Sequence, residues 1–248
     1  MIVWSYGGGV QSVAIAVLIR EGALPKPDFA VIADTGREVQ TTWNYLRDVV
    51  TPYLAPIGLS IAIAPHTLAS RDIEGPTGLT LMPAWVKDGG RLPGYCSGTW
   101  KRDVCERWIR LQGVTECDCW IGYSLDEMWR VKADHRHWCR YTHPLIDLRL
   151  YREQCKTIIA KAGLPPADKS RCWQCPHQTP EEWQQIRERP DEWAAALAVE
   201  KAVNDADHEQ TGLYLYRGRV PLEMADFAAD SQQLEPLFRG CEGGSCFT

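Results

Sequence analysis

Two stretches of this sequence carry residue types at spacings that do chemistry. Cys172-Trp173-Gln174-Cys175 sets two cysteines at a separation that lets both thiolates point at one metal. His177 follows closely enough to complete a mixed zinc site, so residue type leaves zinc and an iron-sulfur cluster both open. The other stretch is Gly7-Gly8-Gly9, between an apolar run and a helical pattern. Three residues without side chains at a helix start present backbone N–H groups and the positive helix end to an anion. A tight turn without a ligand is the plain alternative. The stretch is neither the G-x-G-x-x-G dinucleotide fingerprint nor a loop ending in Gly-Lys-Ser/Thr.

These residues need elements to hold them. Met1 to Tyr6 reads as a strand, Val10 to Arg20 as a helix, Phe29 to Ala33 as a second strand and Thr41 to Leu54 as a second helix. A third strand fits Ser60 to Ala64, and a further one Cys119 to Tyr123. Lys101 to Gln112 is a basic amphipathic helix, and Leu150 to Ala162 a helix stopped by Gly163. Strands alternating with helices predict an α/β fold, a doubly wound and mostly parallel sheet whose ligands bind at the strands' carboxyl ends. Pro65 to Tyr95 lacks sustained periodicity and reads as a long excursion. Thr179-Pro180-Glu181-Glu182 is a capping box that starts a helix after the Cys172–His177 knuckle. A short strand is expected from Leu213. Residues 1–150 are expected to form a nucleotide-binding domain, and 151–248 a helical extension carrying the C-x-x-C pair and the cysteine-bearing tail.

Composition narrows the class. Hydrophobic residues make up 45% and charged residues 24% of the 248, values normal for a globular chain. The net charge of -5 argues against a generally basic nucleic-acid-binding surface. Met1 to Val17 is interrupted by Ser5, the glycines and Gln11, so it reads as neither a secretory segment nor a membrane span. A cytoplasmic protein without membrane contact is the expectation, and in that compartment ten cysteines bind metal or react rather than form a disulfide framework. Cys117, Cys119, Cys139 and Cys155 are expected to be buried as small hydrophobes, with at most one of Cys117 and Cys119 facing any one neighbour. His135 and His137 read as an exposed polar turn, and the eleven tryptophans as packing.

Ser5-Tyr6-Gly7-Gly8-Gly9-Val10-Gln11-Ser12 resembles the S-x-[SG]-G-G-x-[DQ]-S loop of PP-loop enzymes. Asp34-Thr35-Gly36-Arg37-Glu38 is similar to the D-T-G-x-E strand end of the phosphoadenosine phosphosulfate (PAPS) reductase-like proteins, and Cys96 to Lys101 to their C-[ST]-x-x-W-K element. Gly122 to Glu127 with Arg130 resembles their G-x-x-x-D-E-x-x-R segment, and Pro144 to Asp147 followed by Lys169 to Pro176 their P-L-I-D and K-S-x-C-x-x-C-P elements. The likeness covers residues 1 to about 185 and resumes at the tail.

The resemblance implies a PP-loop fold that binds ATP or another adenine nucleotide, with Mg²⁺. Ser5, Tyr6, Gly7, Gly8, Gly9, Gln11 and Ser12 would line the phosphates. Asp34 and Thr35 would sit at the adenosine or metal side, with Gly122, Glu127 and Arg130 completing the site. Lys101 and Asp126 are the implied catalytic side chains. Cys96, Cys172, Cys175 and a tail cysteine, Cys241, would hold a 4Fe-4S cluster, with zinc as the alternative metal and Cys105 or Cys246 as other choices for the fourth ligand. Cys246 would then be the sulfur carrier. Gln11 departs from the Asp usual in ATP-cleaving members, and a neutral amide is a poor ligand for a hard cation.

Three functions follow. The first is adenylation of an acceptor with pyrophosphate release and sulfur transfer, as in the DNA phosphorothioation ATP pyrophosphatases and tRNA thiolases. Its partners would be a cysteine desulfurase or other sulfur donor, and DNA, RNA or a small molecule as acceptor. The alternative is a thiol-dependent reductase of a sulfonucleotide, although the reductases' Glu-Cys-Gly-Leu-His motif is absent from this tail. The last is a non-catalytic nucleotide- or cluster-sensing subunit.

Overall fold

The computed structural model describes residues 1–68, 81–132, 136–207 and 210–233. In chain order the elements begin with β1 (Ile2–Ser5), α1 (Val10–Arg20), β2 (Phe29–Ala33), α2 (Gln40–Tyr45), α3 (Thr51–Leu54) and β3 (Ile61–Ala64). Next come β4 (Ala84–Val86), β5 (Arg91–Leu92), α4 (Asp103–Leu111), β6 (Cys117–Ile121), β7 (Cys139–Thr142), α5 (Pro144–Asp147) and α6 (Arg152–Lys161). The last are α7 (Pro180–Arg187), α8 (Pro190–Asp205), β8 (Leu213–Tyr214) and α9 (Phe227–Gln233). The described residues separate into two compact units. One holds residues 1–68 and 99–171, the other 81–98 and 172–233.

The first unit is an α/β fold around a five-stranded sheet in the order β3-β2-β1-β6-β7, every pairing parallel. Its central strands β1 and β2 are apolar on both faces, as strands covered on both sides must be. Trp4, Ala30, Ile32 and Trp120 face the layer built on α1 and α6, while Val3, Val31, Ala33, Cys119 and Ile121 face the side of α4. Helix α1 is buried from Val10 through Ile19, which its nearly all-apolar sequence permits. The chain runs outward from β1 to β3 on one side, then starts again at β6 on the other. The order therefore reverses between β1 and β6, and the carboxyl ends of these two strands are where open sheets of this kind take ligands.

The second unit pairs β4 antiparallel with β5 and with β8, and packs α7 with α8 and α9. Trp183 stacks on Phe227, which meets Tyr216 edge-on.

Several expectations change. The Pro65–Tyr95 stretch contains the β4–β5 hairpin, too short to leave a periodic signature. The strand expected at Cys119–Tyr123 begins two residues earlier. Strand β7 and helix α8 were not read from the sequence. The boundary expected at residue 150 is not where the units part: α6 packs on α1, with Cys155 and Ile159 in the same core cluster, so it belongs to the sheet domain.

Candidate functional site

The loops after β1 and β6 meet at these carboxyl ends. After β1 the chain turns through Gly7–Gly9 into α1, whose N-cap is Gly9 and whose N-terminus no side chain caps. The turn is tight. Gly8 has φ +80, which favours glycine, and a Cβ there would stand 2.6 Å from Thr42 Cγ2 and 3.2 Å from Ser170 Cβ. A Cβ on Gly9 would lie 3.4 Å from the Ser170 backbone nitrogen. The glycines thus answer a close approach by the 168–170 segment. The Gly7 N–H donates to Ser12 Oγ at 2.8 Å. Gly122 permits a matching approach from β6, since its Cβ would stand 3.4 Å from Ser12 Oγ.

A network of side chains spans the two loops. Gln11, only 8% exposed, donates from Nε2 to Glu127 Oε2 at 2.7 Å and to Ser124 Oγ at 3.3 Å. Its Oε1 accepts from Arg152 Nη1 at 2.9 Å. Glu127 Oε1 accepts from Arg130 Nη1 at 2.7 Å, and that buried guanidinium lies 4.4 Å over the Tyr123 ring. Asp126 Oδ1 accepts from the backbone N–H of Arg152, the first residue of α6, at 3.0 Å.

The end of β2 contributes the Asp34–Glu38 turn, held by its own side chains: Asp34 Oδ1 accepts from Gly36 N at 2.7 Å and Thr35 Oγ1 from Arg37 N at 3.1 Å. His66 Nδ1 lies 3.4 Å from Asp34 Oδ2. Lys101 pairs with Glu38 at 3.2 Å with both side chains largely buried. Val39 N donates to Arg171 O at 3.0 Å, which ties this turn to the segment lying on the glycines.

The structure thus gathers Gly7–Gly9, Gln11, Ser12, Gly122, Glu127 and Arg130 at one place, with Asp34 and Thr35 at the neighbouring strand end. Other assignments change character. The Ser5 hydroxyl meets the Cys105 thiol on the α4 side of the sheet, and the Tyr6 ring belongs to the opposite core, edge-on to Trp4. Burial pushes the Tyr6 phenol above its usual range. The side chains of both residues therefore point away from the glycine turn into the two cores. Asp126 is engaged at the start of α6, and Lys101 with Glu38.

Cys96, Cys172 and Cys175 lie in the second unit, where Cys175 N closes a turn onto Cys172 O at 3.1 Å. Among the described residues no group of three or more His, Cys, Asp or Glu side chains is arranged to hold a metal ion. Cys241 and Cys246 lie outside the described residues, as does His135. The described donors alone make no cluster site. Cys105 is a core thiol, raised to about 12 by burial, and is no candidate ligand as it stands. The expectation that Cys117 and Cys119 face different neighbours is wrong: residues two apart in a strand share a face, and both thiols meet Cys139 on β7.

No family model matches this sequence, and no curated protein matches it. Among solved structures the chain is similar to the U34-tRNA thiolase NcsA from Methanococcus maripaludis, a structure with its 4Fe-4S cluster. The identity is 13% and the TM-score 0.47, over 97% of this chain and 83% of that one. A likeness of that size leaves family and activity open. No described helix is long and apolar enough to cross a membrane.

Sequence reasoning missed Arg152 and Ser124. A signal for the first was available: an arginine at the first position of a helix sits against the positive end of the helix dipole, where a cation is disfavoured.

Proposed function

We propose that this chain is a PP-loop enzyme that binds an adenine nucleotide with its phosphates on the Gly7–Gly9 turn. In this reading it transfers the adenylyl group to an acceptor oxygen. The observation that carries it is the uncapped N-terminus of α1, entered through three glycines at the point where the strand order reverses.

The acceptor oxygen attacks the α-phosphorus and pyrophosphate leaves. A sulfur nucleophile then displaces AMP from the adenylated carbon or phosphorus. The chain's own share is to hold the phosphates with α1 amides and to keep Glu127 and Gln11 fixed. Mg²⁺, where it takes part, would neutralise phosphate oxygens, with Asp34 the carboxylate nearest in type. A nucleic-acid acceptor, a separate sulfur donor and delivery through Cys246 belong to the same reading. So does a 4Fe-4S cluster on Cys96, Cys172, Cys175 and Cys241, which rests on sequence spacing and resemblance.

A second reading, reduction of a sulfonucleotide, is favoured by one observation. Gln11 stands where an ATP-cleaving site would have a carboxylate, and it is engaged at both ends, by Glu127 and by Arg152.

Incubating the anaerobically purified protein with ATP, or with a sulfonucleotide and a thiol, separates the two. AMP with pyrophosphate supports the first reading and sulfite the second. Neither product, with no nucleotide bound, overturns both. Iron matched by acid-labile sulfide supports the cluster, and stoichiometric zinc without sulfide replaces it.

A further inference from the structure

Arg152 stands out from the other cations of the site by what it does not touch. Lys101 is neutralised by Glu38 and Arg130 by Glu127. The Arg152 guanidinium instead donates Nη1 to a neutral carboxamide oxygen, Gln11 Oε1 at 2.9 Å, and meets no carboxylate among the described residues. Its backbone is pinned as well, by the bond from its N–H to Asp126 Oδ1 at 3.0 Å. A guanidinium carries five N–H donors in a fixed fork. One bond to Gln11 leaves most of that fork without a protein acceptor among the described residues.

Its location is the start of a helix, where Asp126 also approaches. Arg152 opens α6, so its charge lies at the positive end of that helix. Helix α6 packs beside α1, and Gln11 lies in the first turn of α1, so Arg152 is held at the start of the helix that Gly7–Gly9 opens. A half-buried guanidinium near two helix N-termini, with no ion pair of its own among the described residues although Asp126 caps the backbone beside it, can face an anion. Gln11 explains how the arrangement is kept. Its amide N–H donates to Glu127, which obliges its oxygen to face Arg152. A carboxylate at position 11 would instead consume the charge in an ion pair.

We propose that Arg152 takes phosphate charge of the nucleotide bound at the glycine turn, with Gln11 as its positioning residue, so that the phosphate is held without a divalent cation. This inference rests on the reading that a nucleotide binds at that turn, and it fixes what supplies the positive charge there.

Calorimetric titration with ADP and with adenosine, each in EDTA and in Mg²⁺, tests it. Wild type is expected to bind ADP equally in EDTA and in Mg²⁺, and more tightly than adenosine. Arg152→Gln is expected to weaken ADP roughly tenfold to a hundredfold, the range for losing a charge-assisted hydrogen bond, while leaving adenosine unchanged. Arg152→Lys should recover part of the loss. Gln11→Met, which keeps the size but removes the acceptor, should lower the ADP-to-adenosine ratio by a smaller factor. A variant that merely misfolds would lose adenosine and ADP together, and that outcome counts against the proposal. ADP binding that disappears in EDTA, or is untouched by Arg152→Gln, overturns it while nucleotide binding survives. Failure of wild type to bind either compound removes the nucleotide reading and this inference with it.

Discussion

Replacing Gln11 with Asp turns the buried network into a measurable charge problem. The Gln11 amide nitrogen lies 2.7 Å from Glu127 Oε2, and the bond runs from a neutral donor to a carboxylate. An aspartate is one methylene shorter and places an acceptor about 4 Å from Glu127, where two like charges repel by roughly 4 kcal/mol at an effective dielectric near 20. Arg152, now bonded to the amide oxygen, attracts the new charge by a similar amount, so the Coulomb parts largely cancel. What remains is the lost donor to Glu127 and a buried acceptor facing another acceptor, together about 1–3 kcal/mol. A protonated carboxyl at position 11 restores a donor to Glu127, and its burial also favours the neutral form, so the proton is held more tightly in the folded variant. A carboxyl whose folded pKa lies above its unfolded value stabilises fully below the unfolded value and loses that contribution as pH rises through the folded one. The deficit of Gln11→Asp against wild type should therefore be small near about pH 5 and full by about pH 7.5. Mg²⁺ between the two carboxylates should reduce it at the higher pH and leave wild type unchanged. Urea unfolding at both pH values, with and without millimolar Mg²⁺, gives the answer. Equal stability of variant and wild type throughout, with no response to Mg²⁺, would refute the reasoning.

Gly8→Ala meets φ +80 and a 2.6 Å overlap with Thr42 Cγ2, for a loss of about 2–5 kcal/mol. Thermal melts should show that adding Thr42→Ser restores the overlap part and not the backbone part. Glu200, buried on α8, accepts from Leu215 N at 3.2 Å and Leu222 N at 2.8 Å. Denaturant unfolding of Glu200→Ala should show a loss of about 2–5 kcal/mol from two orphaned amides. Burial raises the Glu200 carboxyl, so it contributes stability at low pH that fades as pH rises, and Glu200→Gln should remove that slope from the unfolding profile. Thr179→Ala removes the cap that accepts from Glu182 N at 3.2 Å, and should cost α7 about 1 kcal/mol, read as a lower unfolding midpoint.

The first half of the sheet was legible because its signals are local. MIVWSY and FAVIA are continuous apolar runs, each closed by a turn whose glycine or aspartate shapes the strand end, and such runs leave little choice of element. Strand β7 was not legible: Cys-Arg-Tyr-Thr has no continuous apolar run, because an edge strand leaves Arg140 in solvent to pair with Asp118. The candidate site divides in the same way. The glycine turn and the residues after β6 could be found as motifs in the chain. The link between Gln11 and Arg152 joins residues 141 positions apart and has no local signature. The division between the units was hidden for a related reason, since the sheet domain takes in α6 and gives up 81–98, a pattern set by three-dimensional packing.

The buried thiols make the two units separately observable. Cys105, Cys117, Cys119, Cys139 and Cys155 are all at most 3% exposed and all belong to the first unit. Burial raises Cys105, Cys117 and Cys155 to about 12, and the bond to Cys139 together with burial holds Cys119 well above its usual value, so at neutral pH none of these four presents a thiolate. Cys96, Cys172 and Cys175 of the second unit are partly exposed. An alkylating reagent met by the folded, metal-free protein therefore marks the second unit at once, and reaches the five sheet cysteines only when the sheet domain opens. Peptide-resolved mass spectrometry of a labelling time course turns the chain's own sulfur atoms into a clock for each unit, with no probe introduced.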